Sequence, residues 1–141
     1  MLSFPAWVDF CLAGMIMICS IGIDLVDIDR IEAALDRFGA RFLARLFSTA
    51  EIHRLPVDRT GRTMAVSAGF AAKEAVMKSL GRFFDGGVTL RDIEIETDAE
   101  APPAVRLPDR LIPGLGRRSI RLSVSCAERL AMATAIIVDE D

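Results

Sequence analysis

Histidine is nearly absent from this chain, and its scarcity removes one chemistry at once. The single copy, His53, cannot build a multi-histidine metal site. Cysteine is scarce too: Cys11, Cys19 and Cys126 make an odd number with no Cys-x-x-Cys pair. That argues against a disulfide framework and a zinc site, and it points to a reducing cytoplasm. Positive charge is missing from the start of the chain, where the first basic residue is Arg30. The uncharged run over residues 10–23 therefore lacks the basic region of a secretory signal, and it is shorter than the ~20 apolar residues of a membrane helix. It reads as a buried strand behind an extension over residues 1–14, with Met15 and Met17 as candidate natural starts. A net charge of −3 gives no global sign of nucleic-acid binding, and there is no internal repeat or low-complexity tract.

What is present suits one domain over residues 15–141 with a real core, since 52% of the residues are hydrophobic and 26% charged. Residues 15–23 are rich in β-branched side chains and predict a strand buried on both faces, with Asp24 at its end. Asp27 or Asp29 can cap a helix to about Phe38, where Gly39 breaks or bends it, and a second helical run covers residues 40–47. Ser48-Thr49-Ala50-Glu51 is a capping-box pattern for a short helix ending near Leu55. The longest helix is predicted from about Thr63 to Leu80, apolar or small around most of its circumference. Gly81 is placed as the left-handed residue that ends it. The second half is β-rich, with short strands at residues 93–97 and 104–107 and irregular chain over 108–117. A hairpin of residues 119–125 and 130–138 follows, with Ile120, Leu122 and Val124 inward.

Two patterns carry chemistry. Arg30, Arg37, Arg41 and Arg45 recur at offsets that would place them within about 80° of each other on one continuous helix. Such a row is either a solvated face or a docking surface for an acidic partner. The other pattern is a pair of acids: Asp24 after the first strand, and Glu74 on an otherwise apolar helix, four residues before Lys78. A buried carboxylate must be paired, hydrogen-bonded or bound to a metal. Lys78 could neutralise Glu74. Alternatively, two carboxylates meeting in one place would suit Mg²⁺, which takes one or two carboxylates plus waters and phosphates, with a nearby lysine holding phosphate.

The residues around those acids add a family resemblance. Ile21-Gly22-Ile23-Asp24-Leu25-Val26-Asp27-Ile28 with Arg30-Ile31, and Phe70-Ala71-Ala72-Lys73-Glu74-Ala75 with Lys78 and Gly81, resemble the two signatures of bacterial holo-acyl-carrier-protein synthases. The segment from Arg41-Phe42 to Glu51 and the order of the C-terminal strands fit as well, so the resemblance runs from about residue 17 to about residue 138. It implies an α+β, 4′-phosphopantetheinyl transferase fold, with an antiparallel sheet packed against a long buried helix, assembled as a homotrimer with sites between subunits. It implies transfer of the 4′-phosphopantetheine arm of coenzyme A to a serine of an apo acyl carrier protein, releasing 3′,5′-ADP, in fatty acid or polyketide biosynthesis. Asp24 and Glu74 would ligate Mg²⁺ and, with Lys78, form the catalytic set. Lys78 would contact coenzyme A phosphates, and Gly81 would let that co-substrate come close to the backbone. Lys73 would assist there or pair structurally. Arg30, Arg41 and Arg45 would dock the acidic helix of the carrier protein, and neither nucleic acid nor membrane is an implied partner.

Two positions depart from the family pattern. Cys126 follows Ser123-Val124-Ser125 where many members have histidine, and Gly69 precedes the second signature where many have arginine. A thiol is a poor stand-in for a neutral base or a phosphate contact. These departures admit a rival to the transferase, a non-catalytic or specialised relative that binds carrier proteins through its arginine face; a metal-dependent phosphohydrolase is a separate third possibility.

Overall fold

A computed structural model describes residues 16–98 and 100–140. The expected extension over residues 1–14 and the candidate start Met15 lie outside the described residues. A three-stranded antiparallel sheet organises the chain. It contains β1 (Ile16–Asp27), β4 (Ser119–Cys126) and β5 (Leu130–Glu140), in the order β1-β5-β4. The helices α1 (Ile28–Phe38), α2 (Ala40–Leu46), α3 (Thr49–Arg54) and α4 (Arg59–Leu80) intervene between β1 and a small two-stranded sheet. That sheet pairs β2 (Glu94–Glu96) with β3 (Ala104–Arg106), and a one-turn helix α5 (Ile112–Leu115) precedes the final hairpin.

Small side chains decide how closely the long helix meets the sheet. Ala131, Ala133, Ala135 and Ile137 alternate along the inner face of β5, all buried. Ala71, Ala72, Ala75, Val76 and Leu80 of α4 join them in one core. On β1 the closest point is Gly22, where an added Cβ would lie 2.0 Å from the Ala75 carbonyl oxygen and 2.7 Å from the Ser79 nitrogen. No side chain fits there. Only glycine lets this strand rest directly on the helix backbone.

Several sequence expectations change in this frame. The first strand does not stop before Asp24: it continues to Asp27, which caps α1 by accepting the Asp29 N–H at 2.9 Å. Nor is the strand buried on both faces. Gly22 and Val26 face the core, while Ile21, Ile23 and Leu25 point outward and are more than half exposed in the isolated chain. Register places them beside Ile136, Thr134 and Met132 of β5. A strand whose outer face is apolar is indistinguishable by composition from one buried on both sides.

The capping box of α3 is present, with Ser48 and Glu51 bonding reciprocally. Helix α4 begins at Arg59, a turn earlier than expected, because Asp58 accepts the Gly61 N–H at 2.7 Å and caps it there. Gly81 is not left-handed: its φ of −55° and ψ of −19° continue the helical sense, and its N–H bonds Met77 at 3.1 Å. Gly39 is the left-handed residue, with φ 48°, and it separates α1 from α2. The arginine row therefore lies on two helices, and its continuous-helix alignment does not hold.

Candidate active site

Asp24 lies two residues beyond Gly22 on the same side of β1, so the strand–helix contact that requires glycine also carries this carboxylate to α4. There it meets Lys78. The Lys78 ammonium donates to Asp24 Oδ1 at 2.7 Å and to the Ile23 carbonyl at 2.9 Å. Glu74 stands one turn before Lys78 on α4. Burial pushes the Glu74 carboxyl above its ordinary value, the Asp24 carboxylate pushes it further, and Lys78 works against both. The structure thus brings Asp24, Glu74 and Lys78 together. The lysine pairs with Asp24 rather than with Glu74, and Glu74 makes no hydrogen bond or ion pair with any described residue.

This donor set fits a hard divalent cation. Glu74, a half-buried carboxylate without a hydrogen bond or ion pair among the described residues, lies within electrostatic reach of the Asp24 carboxylate, and both supply oxygen. Among the described residues no group of three or more histidines, cysteines or acids is gathered that could hold a metal. Two carboxylates alone match an ion that retains several waters and accepts phosphate oxygens, as Mg²⁺ does.

Lys73 occupies a different place. It is fully buried, and its ammonium donates to Glu51 Oε2 at 2.8 Å, to the Leu90 carbonyl at 3.2 Å and to the Ile93 carbonyl. Its charge also lies 5.0 Å from the centre of the Phe47 ring. All three hydrogens are used within the fold, which is the structural pairing, one of the two roles expected of Lys73. Burial pushes its ammonium below the usual lysine range, and Glu51 opposes that shift. Glu51 in turn accepts from Ser48 N at 2.7 Å and Ile95 N at 2.9 Å. One buried pair therefore ties α3, α4 and the chain leading into β2.

The remaining expected residues are placed as follows. Gly81 is exposed at the end of α4, three residues past Lys78. Arg30 on α1 and Arg41 and Arg45 on α2 are all exposed, and none forms an ion pair with a described residue. Gly69 borders a pocket of about 330 Å³ lined by Phe47, Glu51, Arg54, Ala72 and Val124. This pocket lies across the helix from Glu74, since Ala72 and Glu74 point about 200° apart. A Cβ at Gly69 would come within 2.8 Å of the Phe47 ring, so the glycine there is matched to a large neighbour. Cys126, at the end of β4, has its thiol pushed up by partial burial, which disfavours the thiolate.

Two residues escaped sequence reasoning in their roles. Gly22 was readable only as part of a signature, although an isolated glycine within a strand pattern signals close backbone approach. Glu51 was readable as a helix cap, and nothing local marks it as the partner of a lysine 22 residues away.

The comparisons with known proteins bear on the same residues. Residues 20–135 match the model of the 4′-phosphopantetheinyl transferase superfamily. A holo-[acyl-carrier-protein] synthase of Solidesulfovibrio magneticus is 43% identical over 124 residues, covering 86% of this chain and 98% of that protein. One from Koribacter versatilis is 39% identical over 126 residues, covering 87% of this chain and all (100%) of that protein. Among solved structures, the Helicobacter pylori holo-[acyl-carrier-protein] synthase in complex with coenzyme A superimposes with a TM-score of 0.72 at 29% identity, covering 83% of this chain and 98% of its own. The Plasmodium yoelii holo-ACP-synthase gives 0.74 at 28% identity, over 89% and 98% of the two chains. The match spans the glycine contact, both acids and Lys78, so the chain belongs to the 4′-phosphopantetheinyl transferase superfamily.

Proposed function

We propose that this protein transfers the 4′-phosphopantetheine arm of coenzyme A to a serine of an apo acyl carrier protein in a Mg²⁺-dependent reaction that releases 3′,5′-ADP. The observation that carries this reading is the meeting of Asp24, Glu74 and Lys78 at the strand–helix contact. The enzyme supplies no nucleophile; the attacking oxygen is the serine hydroxyl of the partner. A bound Mg²⁺ would supply charge neutralisation for the pyrophosphate leaving group. Asp24 and Glu74 would hold the cation, Lys78 would contact a phosphate as a point charge, and Gly81 would leave the adjoining surface open to coenzyme A. Lys73 acts as part of the scaffold, through Glu51 and the Leu90 and Ile93 carbonyls.

The exposed arginines Arg30, Arg41 and Arg45 form the docking face for the acidic carrier protein, a reading supported by their lack of ion pairs with any described residue. A homotrimer is supported by the outer face of the sheet. Ile23 is 55% exposed, Leu25 61% and Met132 45%, a contiguous apolar surface that another subunit would cover. Sites between subunits would then combine the acids of one chain with a neighbour's surface. A cytoplasmic setting suits the free thiols of Cys19 and Cys126. No helix among the described residues is long and apolar enough to cross a membrane.

The test is to incubate the protein with coenzyme A, Mg²⁺ and several apo carrier proteins and to follow carrier mass. A gain of one phosphopantetheine is expected. Carriers that bind but stay unmodified would support the binding-only rival instead. Coenzyme A cleavage without a carrier would support the phosphohydrolase.

A further inference from the structure

Lys78 is held by the groups that a divalent cation needs. Its ammonium takes Asp24 Oδ1 at 2.7 Å and the Ile23 carbonyl at 2.9 Å. The Asp24 side chain is only 15% exposed, so its few open directions are partly filled by this lysine. The Lys78 side chain is 51% exposed and is fixed at its tip by those two bonds. Such a side chain can let go and swing into solvent, unlike the enclosed Lys73 with its three acceptors. A divalent cation entering beside Asp24 repels the ammonium and competes for the same carboxylate oxygens. The bond to Ile23 alone is a weak reason to stay.

We infer that Lys78 is the resident counter-ion of Asp24 in the metal-free protein, that it gives Asp24 up when the divalent cation arrives, and that the released ammonium then serves the phosphate of coenzyme A. The inference rests on the acid-pair site proposed above and adds a coupling to it. Cation binding frees a phosphate-binding group, and a phosphate offers that group a new partner. Each ligand therefore favours the other, and the coupling is reciprocal. The cation alone binds weakly, because only the fraction of molecules with Asp24 vacated is competent.

The experiment is a Mg²⁺ titration without coenzyme A, followed by calorimetry and by NMR of the lysine ammonium groups, on the full chain. The Lys78 ammonium signal, identified by its loss in Lys78→Met, is expected to leave its hydrogen-bonded position and exchange rapidly with water as Mg²⁺ saturates. Lys78→Met should bind Mg²⁺ roughly threefold to tenfold more tightly than wild type, the factor by which a competent fraction of about a third to a tenth weakens binding. Lys78→Arg, which keeps the charge, should remain near wild type. A Lys78 signal unchanged at saturating Mg²⁺ would overturn the exchange, even if Lys78→Met bound more tightly through loss of charge alone. Equal affinity in wild type and Lys78→Met would overturn it too. Mg²⁺ binding that Asp24→Asn leaves intact would instead overturn the acid-pair site, and this inference with it.

Discussion

Lys73 and Lys78 lie five residues apart on one helix, and they do opposite things. Lys73 is sealed in the core and spends every hydrogen on Glu51, Leu90 and Ile93. Lys78 reaches outward and rests its tip on Asp24. Both belong to the run that carries the family resemblance, and residue type alone assigns them the same chemistry. Burial separates them. A lysine with no accessible surface can only hold the protein together, while one with an open path can exchange partners. The step of five residues turns the helix by about 500°, so the two side chains leave it about 140° apart.

Breaking the clasp should have the largest effect. Lys73→Met leaves Glu51 charged and nearly enclosed without its partner, and should cost about 3–5 kcal/mol of stability in urea denaturation. Adding Glu51→Leu should recover part of that loss, as expected for a coupled buried pair. Lys78→Met sharpens the contrast. The lysine end of its ion pair is half exposed, so its denaturation midpoint should fall far less than that of Lys73→Met while carrier modification falls away.

Gly22→Ala attacks the contact that gives Lys78 its partner. The new Cβ would meet the Ala75 carbonyl at 2.0 Å, so strand and helix must part. A stability loss of about 1–3 kcal/mol is expected, together with loss of transfer, because Asp24 moves with the strand. Thermal melts and carrier mass would read the two effects separately. The Lys73 clasp, on the other side of α4, should be undisturbed.

Arg45 extends the comparison to a cation with no ion-pair partner among the described residues. Arg45→Glu should raise the KM for the carrier protein several-fold, by about 1 kcal/mol, with little change in kcat. The penalty should shrink as salt rises. Steady-state kinetics at two ionic strengths would check both.

The smallest effect concerns the acid between the two lysines. Glu74 has its carboxyl raised by burial first and by Asp24 second. A raised carboxyl stabilises the fold when protonated, and that contribution is lost as pH rises through the folded-state value. Glu74→Gln should therefore melt slightly higher than wild type at neutral pH without metal. The gap should close as pH falls below the ordinary glutamate value of about 4.3. Melting curves in a chelator from neutral to acid pH would show it.

How far the sequence foretold this structure varied with how local each cause was. The Asp27 cap of α1, the Ser48–Glu51 box and the C-terminal hairpin are short-range patterns, and they emerge largely as expected. The two acids were legible because each lies in a distinctive run. Their meeting depends on Gly22 pressing on Ala75, a contact across some fifty residues that no periodicity reports. The role of Lys73 was hidden for the same reason, since Glu51, Leu90 and Ile93 converge on it only in three dimensions. Gly81 misled because a glycine after a helix suggests a left-handed end, whereas here it simply continues the last turn. The outer face of β1 misled because an exposed apolar surface has the same composition as a core.

The most direct measurement is the intact mass of an apo acyl carrier protein after incubation with coenzyme A and the enzyme, with Mg²⁺ or with a chelator, for wild type and Glu74→Ala. Phosphopantetheine addition only by wild type in the presence of Mg²⁺ is the predicted result. Full modification by Glu74→Ala, or by wild type in the chelator, would contradict the acid pair as the metal site.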